Sequence, residues 1–304
     1  MKIPSDYRTI YLFGRSFDAK FLPSFKLVLQ KLAEYEAEIL VFQPFREFLN
    51  GSLSEDLSGY PLFRSYEDLK GRPGLMLSIG GDGTFLEAST LVRDLPVPIA
   101  GINSGRLGFL ADIAQEEISR AVDSILTGDW DIQERTLIQV DCDQPLFGDF
   151  NFALNEITVH KRDDSSMIRI NASLDGLYLN TYWADGLIVA TPTGSTAYSL
   201  SVGGPLVLPG TGTFVLSPIA PHHLTVRPLI YRDNLRLTLQ TRSRSGNLLV
   251  SADSRSVIIE DRLELRISKA PFALQTIRLR DHNIYQTLRS KLMWGADPRN
   301  FDHP

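Results

Sequence analysis

The sequence predicts an α/β N-terminal domain with a parallel sheet, followed by a mostly antiparallel β-rich domain. Three observations carry this expectation. The chain has 304 residues, which at about 150 residues per domain means two domains. Its first ~130 residues alternate short apolar runs with segments of helical periodicity, the pattern of βα units. Beyond Trp130 an alternation of period two takes over, as in sheets with one wet face.

Taken in order, residues 9–13 form a short apolar, β-rich run. Phe25, Val28, Leu29, Leu32 and Tyr35 then recur at helical spacing and make one apolar face. Residues 39–42, 74–79 and 97–102 are further apolar runs, and residues 85–92 and 114–126 read as helices. In the second half, Ile168, Ile170, Ala172 and Leu174 alternate with polar partners. So do Leu235, Leu237 and Leu239, and again Leu263, Leu265 and Ile267. The expected division is residues 1–130, residues 131–270, and a tail, 271–304. That tail holds one more strand at 276–279 and a short helix around 285–293, and could pack back on the first domain.

Composition excludes several classes. Hydrophobic residues make up 43% and charged residues 22%, which is ordinary globular usage and not that of a disordered or collagen-like chain. The net charge is −5, a poor match to a nucleic-acid binder. Cys142 is the only cysteine, so no intramolecular disulfide and no cysteine-rich zinc site can form, which suits a reducing compartment. No signal-peptide core and no run of 18 apolar residues occurs, so a cytoplasmic protein without a membrane helix is expected.

Gly80-Gly81-Asp82-Gly83-Thr84 is the strongest local signal. It follows an apolar run and opens a helix, so backbone N–H groups and the positive helix end can meet phosphate. It is neither G-x-G-x-x-G nor a Walker loop, and no Gly-Lys pair exists in the chain. A tight turn with Asp82 as a helix cap is one reading. The other is catalytic: a carboxylate beside phosphate can deprotonate an attacking hydroxyl or hold Mg²⁺. The second signal is residues 185–205, an apolar strand running into a turn dense in hydroxyls and glycine, with Tyr198 as a stackable ring. It is either a plain turn or a site for a polar ligand bearing an aromatic base.

These segments resemble the NAD kinase family, whose members phosphorylate NAD to NADP. Residues 80–84 match the glycine–aspartate motif which that family shares with diacylglycerol, sphingosine and phosphofructokinase-type kinases. Residues 185–205 match the long motif that separates NAD kinases from those relatives. Residues 101–110 and the pair Asn155-Glu156 match as well. The resemblance covers about residues 79–255 and implies a two-domain, NAD kinase-like architecture with the site between the domains. It implies Asp82 as the general base on the 2′-hydroxyl of the adenosine ribose. Gly80, Gly81, Gly83 and Thr84 would line phosphates. Asn155 and Glu156 would hold the adenosine half of NAD, with Asp185, Thr193, Thr196, Ala197, Tyr198, Ser199, Leu200 and Ser201 around it. ATP with Mg²⁺ is the implied co-substrate, and a homo-oligomer the implied assembly.

Some positions are less determined. Trp183 stands where some relatives carry a basic residue that helps choose between NAD and NADH; NAD is the reading here. Arg255 could reach a phosphate, but a solvated arginine at a strand end is the preferred reading. Arg106 lies in the 101–110 match and is a further candidate. His222, next to His223, reads first as part of a turn and is a weaker candidate for substrate proximity; metal binding is disfavoured because no second ligand cluster accompanies it. Arg227, Arg232, Arg236, Arg242 and Arg244 against the single acid Asp233 read as the wet face of a strand. The competing functions are a lipid or sphingoid kinase sharing the glycine–aspartate loop, and a non-catalytic NAD(P)-binding regulator.

Overall fold

The computed structural model describes residues 7–53, 55–162, 166–280 and 282–293. It divides into two compact units, residues 1–133 with 275–304 and residues 134–274.

The first unit is built on β1 (Thr9–Gly14), β2 (Glu38–Phe42), β3 (Leu62–Phe63), β4 (Leu75–Gly80) and β5 (Ile99–Asn103). They lie in the order β5-β4-β1-β2-β3, and every pairing is parallel. Every residue of β1, β4 and β5 is buried. That is why these strands read as continuous apolar runs: helices cover both faces of a parallel sheet. The connecting helices are α1 (Leu22–Glu34), α2 (Gln43–Ser52), α3 (Tyr66–Leu69), α4 (Asp82–Val92) and α5 (Ile118–Thr127). α1 buries Phe25, Val28 and Leu32, and α5 buries Ile118, Ala121, Val122, Ile125 and Leu126. α5 stops at Gly128, whose φ of 81° closes the last turn in a conformation glycine adopts without strain. The helix expected over 114–126 therefore starts later, after a short 3₁₀ turn at Gln115–Glu117. α2 was not foreseen: Phe45 and Leu49 are its buried residues, too few for a periodic signal.

β6 (Trp130–Asp141) leads out of this unit. The second unit holds β7 (Phe152–Ala153), β8 (Glu156–Lys161), β9 (Ile168–Leu174), β10 (Leu177–Ala184), β11 (Gly186–Ala190), the one-turn α6 (Tyr198–Ser201), β12 (Thr213–Ile219), β13 (Leu229–Arg232), β14 (Leu237–Arg242), β15 (Asn247–Ala252) and β16 (Arg255–Glu260). The chain returns along β17 (Glu264–Leu279), then forms α7 (Ile284–Leu292). Within the first unit, Thr276 of β17 pairs in parallel with Ile99 of β5, and its hydroxyl donates to Gln133 O at 2.9 Å.

One antiparallel sheet of the second unit has the order β13-β12-β11-β8-β15-β16. The strands β10-β9-β14-β17 pair antiparallel in a second. Side chains of both form one core, including Ile157, Val159, Leu187, Phe214, Ile170, Leu237, Leu239 and Ile267. β9 and β14 bury every second residue, as the alternation predicts. Arg232 and Arg242 lie on the exposed side, so the arginine stripe is a wet face. β11 is buried throughout, because Val202 and Val207 pack with Ile188, Ala190, Val215 and Ile219 on its other side. Residues 191–207 are thus laid over one face of this sheet.

Leu239 is fully buried and Gln240 exposed on the same strand. Leu239→Ala should lower unfolding stability by about 3 kcal/mol, and Gln240→Ala by less than about 0.5 kcal/mol. Urea denaturation followed by far-UV circular dichroism checks the pair.

Candidate active site

In the first unit, β4 delivers residues 80–84 into the N-terminus of α4. Gly80 is required by its neighbour, because a Cβ there would overlap the Thr84 side chain. Gly81 and Gly83 are different. Both are exposed, and a Cβ on either would meet no heavy atom within 4 Å. No neighbour in the fold asks for glycine at either position, whereas a ligand pressed against the backbone would. The first N–H groups of α4 lack helical partners and carry the positive end of its dipole.

Asp82 is the first residue of α4, and Gly81 is its cap. The reading of Asp82 as a capping side chain is therefore overturned. Its carboxylate turns to the loop after β5. Oδ2 accepts the Phe109 N–H at 2.9 Å, and Oδ1 accepts the N–H groups of Leu110 and Ala111 at 2.9 and 3.0 Å. A Cβ on Gly108 would overlap Oδ1, so that glycine is needed for the approach. Asn103 stitches the same loop: Nδ2 donates to Arg106 O at 2.6 Å, and Oδ1 accepts the Gly105 N–H at 2.7 Å. Ser104 N–H donates to Gly80 O at 3.1 Å. Residues 101–110, singled out by resemblance alone, thus form the loop that holds Asp82. A carboxylate has about four acceptor positions. Three are occupied, which leaves one on Oδ2 for a hydroxyl proton. Arg106 is exposed in this loop.

In the second unit, three segments meet around Glu156. The first is residues 154–156. The second is the turn after β11: Thr191 Oγ1 donates to Leu154 O at 2.6 Å, Thr191 N–H donates to Asn155 O at 2.9 Å, and a Cβ on Gly194 would overlap the Asn155 carbonyl. The third is the β15–β16 hairpin, where Asp253 sits at φ 52°. Its carboxylate accepts the Leu154, Asn155 and Glu156 N–H groups at 2.8, 2.8 and 3.2 Å. Asp253 was missed in the sequence; an acid at a hairpin end carries no signal of what it will hold. Burial raises its carboxyl, and the three amides and Arg255 oppose that.

Glu156 is 9% exposed, and its Oε2 is buried with no hydrogen-bond partner. Its carboxyl is pushed up to about 8, chiefly by burial and then by the Asp253 charge, against the Tyr198 N–H that it accepts. A buried carboxyl with one unfilled oxygen is suited to a ligand hydroxyl.

The remaining candidates divide. Asn155 and Thr193 are buried beside Glu156, and the Tyr198 ring is 41% exposed. Thr196 and Ser201 donate their hydroxyls to Thr193 O and Tyr198 O. Ser199 is fully buried against Ser217, at 3.0 Å between hydroxyls, and so fastens α6 to β12. Ala197 and Leu200 are half-buried in the same turn. Asp185 lies elsewhere. β8 and β11 pair Glu156 with Ala190 and His160 with Gly186, so Asp185 is about 20 Å from Thr191 at ~3.3 Å per residue. There it pairs with Lys161 at 2.7 Å. His222 is at that end too, through its N–H to Trp183 O at 2.8 Å. No group of three His, Cys, Asp or Glu among the described residues could hold a metal. Arg255 is a correction: its guanidinium donates to Phe150 O and Phe152 O and lies 4.7 Å from the Phe150 ring. It is not a solvated strand-end charge.

The raised Glu156 carboxyl makes stability pH-dependent. Below its ordinary value of 4.5 both folded and unfolded states hold the proton. As pH rises towards about 8 the unfolded chain releases it while the fold retains it, so stability falls. Above that the loss is complete. Glu156→Gln should match the parent at pH 4 and exceed it at pH 9, by about 5 kcal/mol, in denaturant titrations at the two pH values.

Residues 69–130 match the family model for the ATP-NAD kinase N-terminal domain, and residues 154–279 that for the C-terminal domain. The chain is 46% identical over 289 residues to the NAD kinase of Cytophaga hutchinsonii, covering 95% of this chain and 99% of the relative. It is 42% identical over 295 residues to the NAD kinase of Flavobacterium psychrophilum, covering 96% and 99%. The fold resembles a crystal structure of yeast NADH kinase complexed with NADH, with a TM-score of 0.83 at 20% identity over 96% of this chain and 89% of the other. It also resembles an Archaeoglobus fulgidus NAD kinase in complex with ATP, with a TM-score of 0.72 at 25% identity over 94% and 98%. Asp82 in its cradle of amides and the buried Asn155-Glu156 pair both fall inside the matched regions, and the chain belongs to the NAD kinase family.

Proposed function

We propose that this protein is an NAD kinase: it transfers the terminal phosphoryl group of ATP to the 2′-hydroxyl of the adenosine ribose of NAD, giving NADP and ADP. The observation that carries the reading is family membership over nearly the whole chain, together with an intact glycine–aspartate loop whose Gly81 and Gly83 face open space. The two units correspond on this reading to a domain carrying the phosphate loop and a domain holding NAD.

In the transfer, the 2′-oxygen forms a bond to the γ-phosphorus while the bond to the β,γ-bridging oxygen breaks and ADP leaves. There is little covalent work for the protein, so positioning and charge neutralisation supply the rate. Asp82 takes the hydroxyl proton on the open position of Oδ2. A carboxylate is a far weaker base than an alkoxide, so the proton passes late, as the oxygen bonds to phosphorus. The backbone N–H groups at Gly81, Gly83 and Thr84 meet phosphate oxygens. Asn155, Glu156 and the turn through Tyr198 receive the adenosine half. Asp185 and His222 serve a more distant part of an elongated ligand. Mg²⁺ arrives with ATP as the co-substrate complex.

No described helix is long and apolar enough to cross a membrane, and the protein acts in the cytoplasm on this reading. A homo-oligomer is the proposed assembly, in keeping with the exposed Leu177, Tyr178 and Ile230 on β10 and β13.

Incubation with NAD, ATP and Mg²⁺ should yield NADP. Tight NAD binding without NADP would favour a regulator, and phosphorylation of lipid headgroups a lipid kinase. Asp82→Asn should lower kcat by at least about a thousandfold, with NAD binding retained by calorimetry. An amide nitrogen there would also confront one or more of the three loop N–H groups, so Asp82→Glu serves as the companion variant. Wild-type turnover in Asp82→Asn would overturn the assignment.

A further inference from the structure

The loop that holds Asp82 is itself held from the C-terminal segment of the first unit. Phe109, Leu110 and Ala111 give their N–H groups to the Asp82 carboxylate. The residue at one end of this stretch, Phe109, carries the Lys291 ammonium 4.9 Å from its ring centroid. The residue just past the other end, Asp112, has an oxygen 3.6 Å from His282 Nδ1, and Nε2 of the same imidazole lies 3.3 Å from Glu117. Four consecutive residues are therefore gripped at both ends by residues 282–291, while the amides of the first three face Asp82. The grip is a light one: Leu288 is the buried residue of α7, and Tyr285 is half exposed.

We propose that Lys291, with His282, is a positioning residue for Asp82: the C-terminal helix fixes the 109–112 loop, and that loop fixes the carboxylate that takes the proton. The kinetic part rests on the NAD kinase reading; the structural part does not. A carboxylate aimed by three amides is only as well placed as those amides, and small misplacements of a reacting group are costly in rate while leaving remote binding untouched. Loss of the clamp is therefore read in kcat and not in KM.

The test compares Lys291→Met, which keeps the apolar stem and removes the charge, with Lys291→Arg, which restores a cation able to face the ring. Both are also made in a Phe109→Leu background. In Lys291→Met, kcat should fall about three- to fivefold with KM for NAD and ATP unchanged and the melting temperature within about 2 °C. Lys291→Arg should recover it, and the effect should vanish once Phe109 is replaced. Hydrogen exchange of the Phe109, Leu110 and Ala111 amides should accelerate by a similar factor in Lys291→Met. Unchanged kcat and unchanged exchange would overturn the proposal. So would a loss of kcat that tracks the melting temperature and is not recovered by arginine. Should the wild-type protein form no NADP while the exchange responds, the kinase reading fails and the clamp stands.

Discussion

A carboxylate that accepts three consecutive backbone N–H groups holds the working loop of each unit. Asp82 gathers the amides of residues 109–111, and Asp253 those of residues 154–156. Loops bring unpaired amides that must find partners, and charged acceptors bind them about twice as strongly as neutral ones. One side chain thus orders a segment that has no regular structure of its own. In the first unit the ordered segment fixes the Asp82 carboxylate. In the second it presents Asn155 and Glu156.

The second device has an electrostatic consequence. Asp253 is drawn in to satisfy amides, and its charge, next to a buried Glu156, raises the Glu156 carboxyl further. Two acids share one buried corner, and burial raises the carboxyls of both. The Tyr198 N–H partly offsets this on one oxygen and leaves the other open. Such a site is costly to an empty protein and is relieved when a ligand supplies donors, which is how binding sites store strain and polarity that cores exclude.

The glycines sort by the same logic. Gly80, Gly108 and Gly194 are required by neighbours in the chain: Thr84, Asp82 and the Asn155 carbonyl. Gly81 and Gly83 have no such neighbour, which accords with the proposed phosphate contact. On the proposed reading, a single motif of three glycines holds two different requirements, one of folding and one of ligand access.

Local pattern was enough for much of the fold. The buried strands β1, β4 and β5, the apolar faces of α1 and α5, and the alternation in β9 and β14 were legible because burial imprints its period on adjacent residues. The motifs at 80–84 and 185–205 stood out because glycine, acid and small hydroxyl residues lie close together in sequence there, whereas residues 101–110 were marked by family resemblance alone. Tertiary structure alone decided which partners those residues meet. Ala111 finds Asp82 across 29 positions, and Leu154 finds Asp253 across 99. Neither Arg255 on the Phe150 ring nor Ser199 against Ser217 could be read from composition or spacing. The physical reason is that hydrophobic periodicity is a property of neighbours along the chain. Hydrogen bonding and desolvation of a charge depend on what the whole fold packs around it.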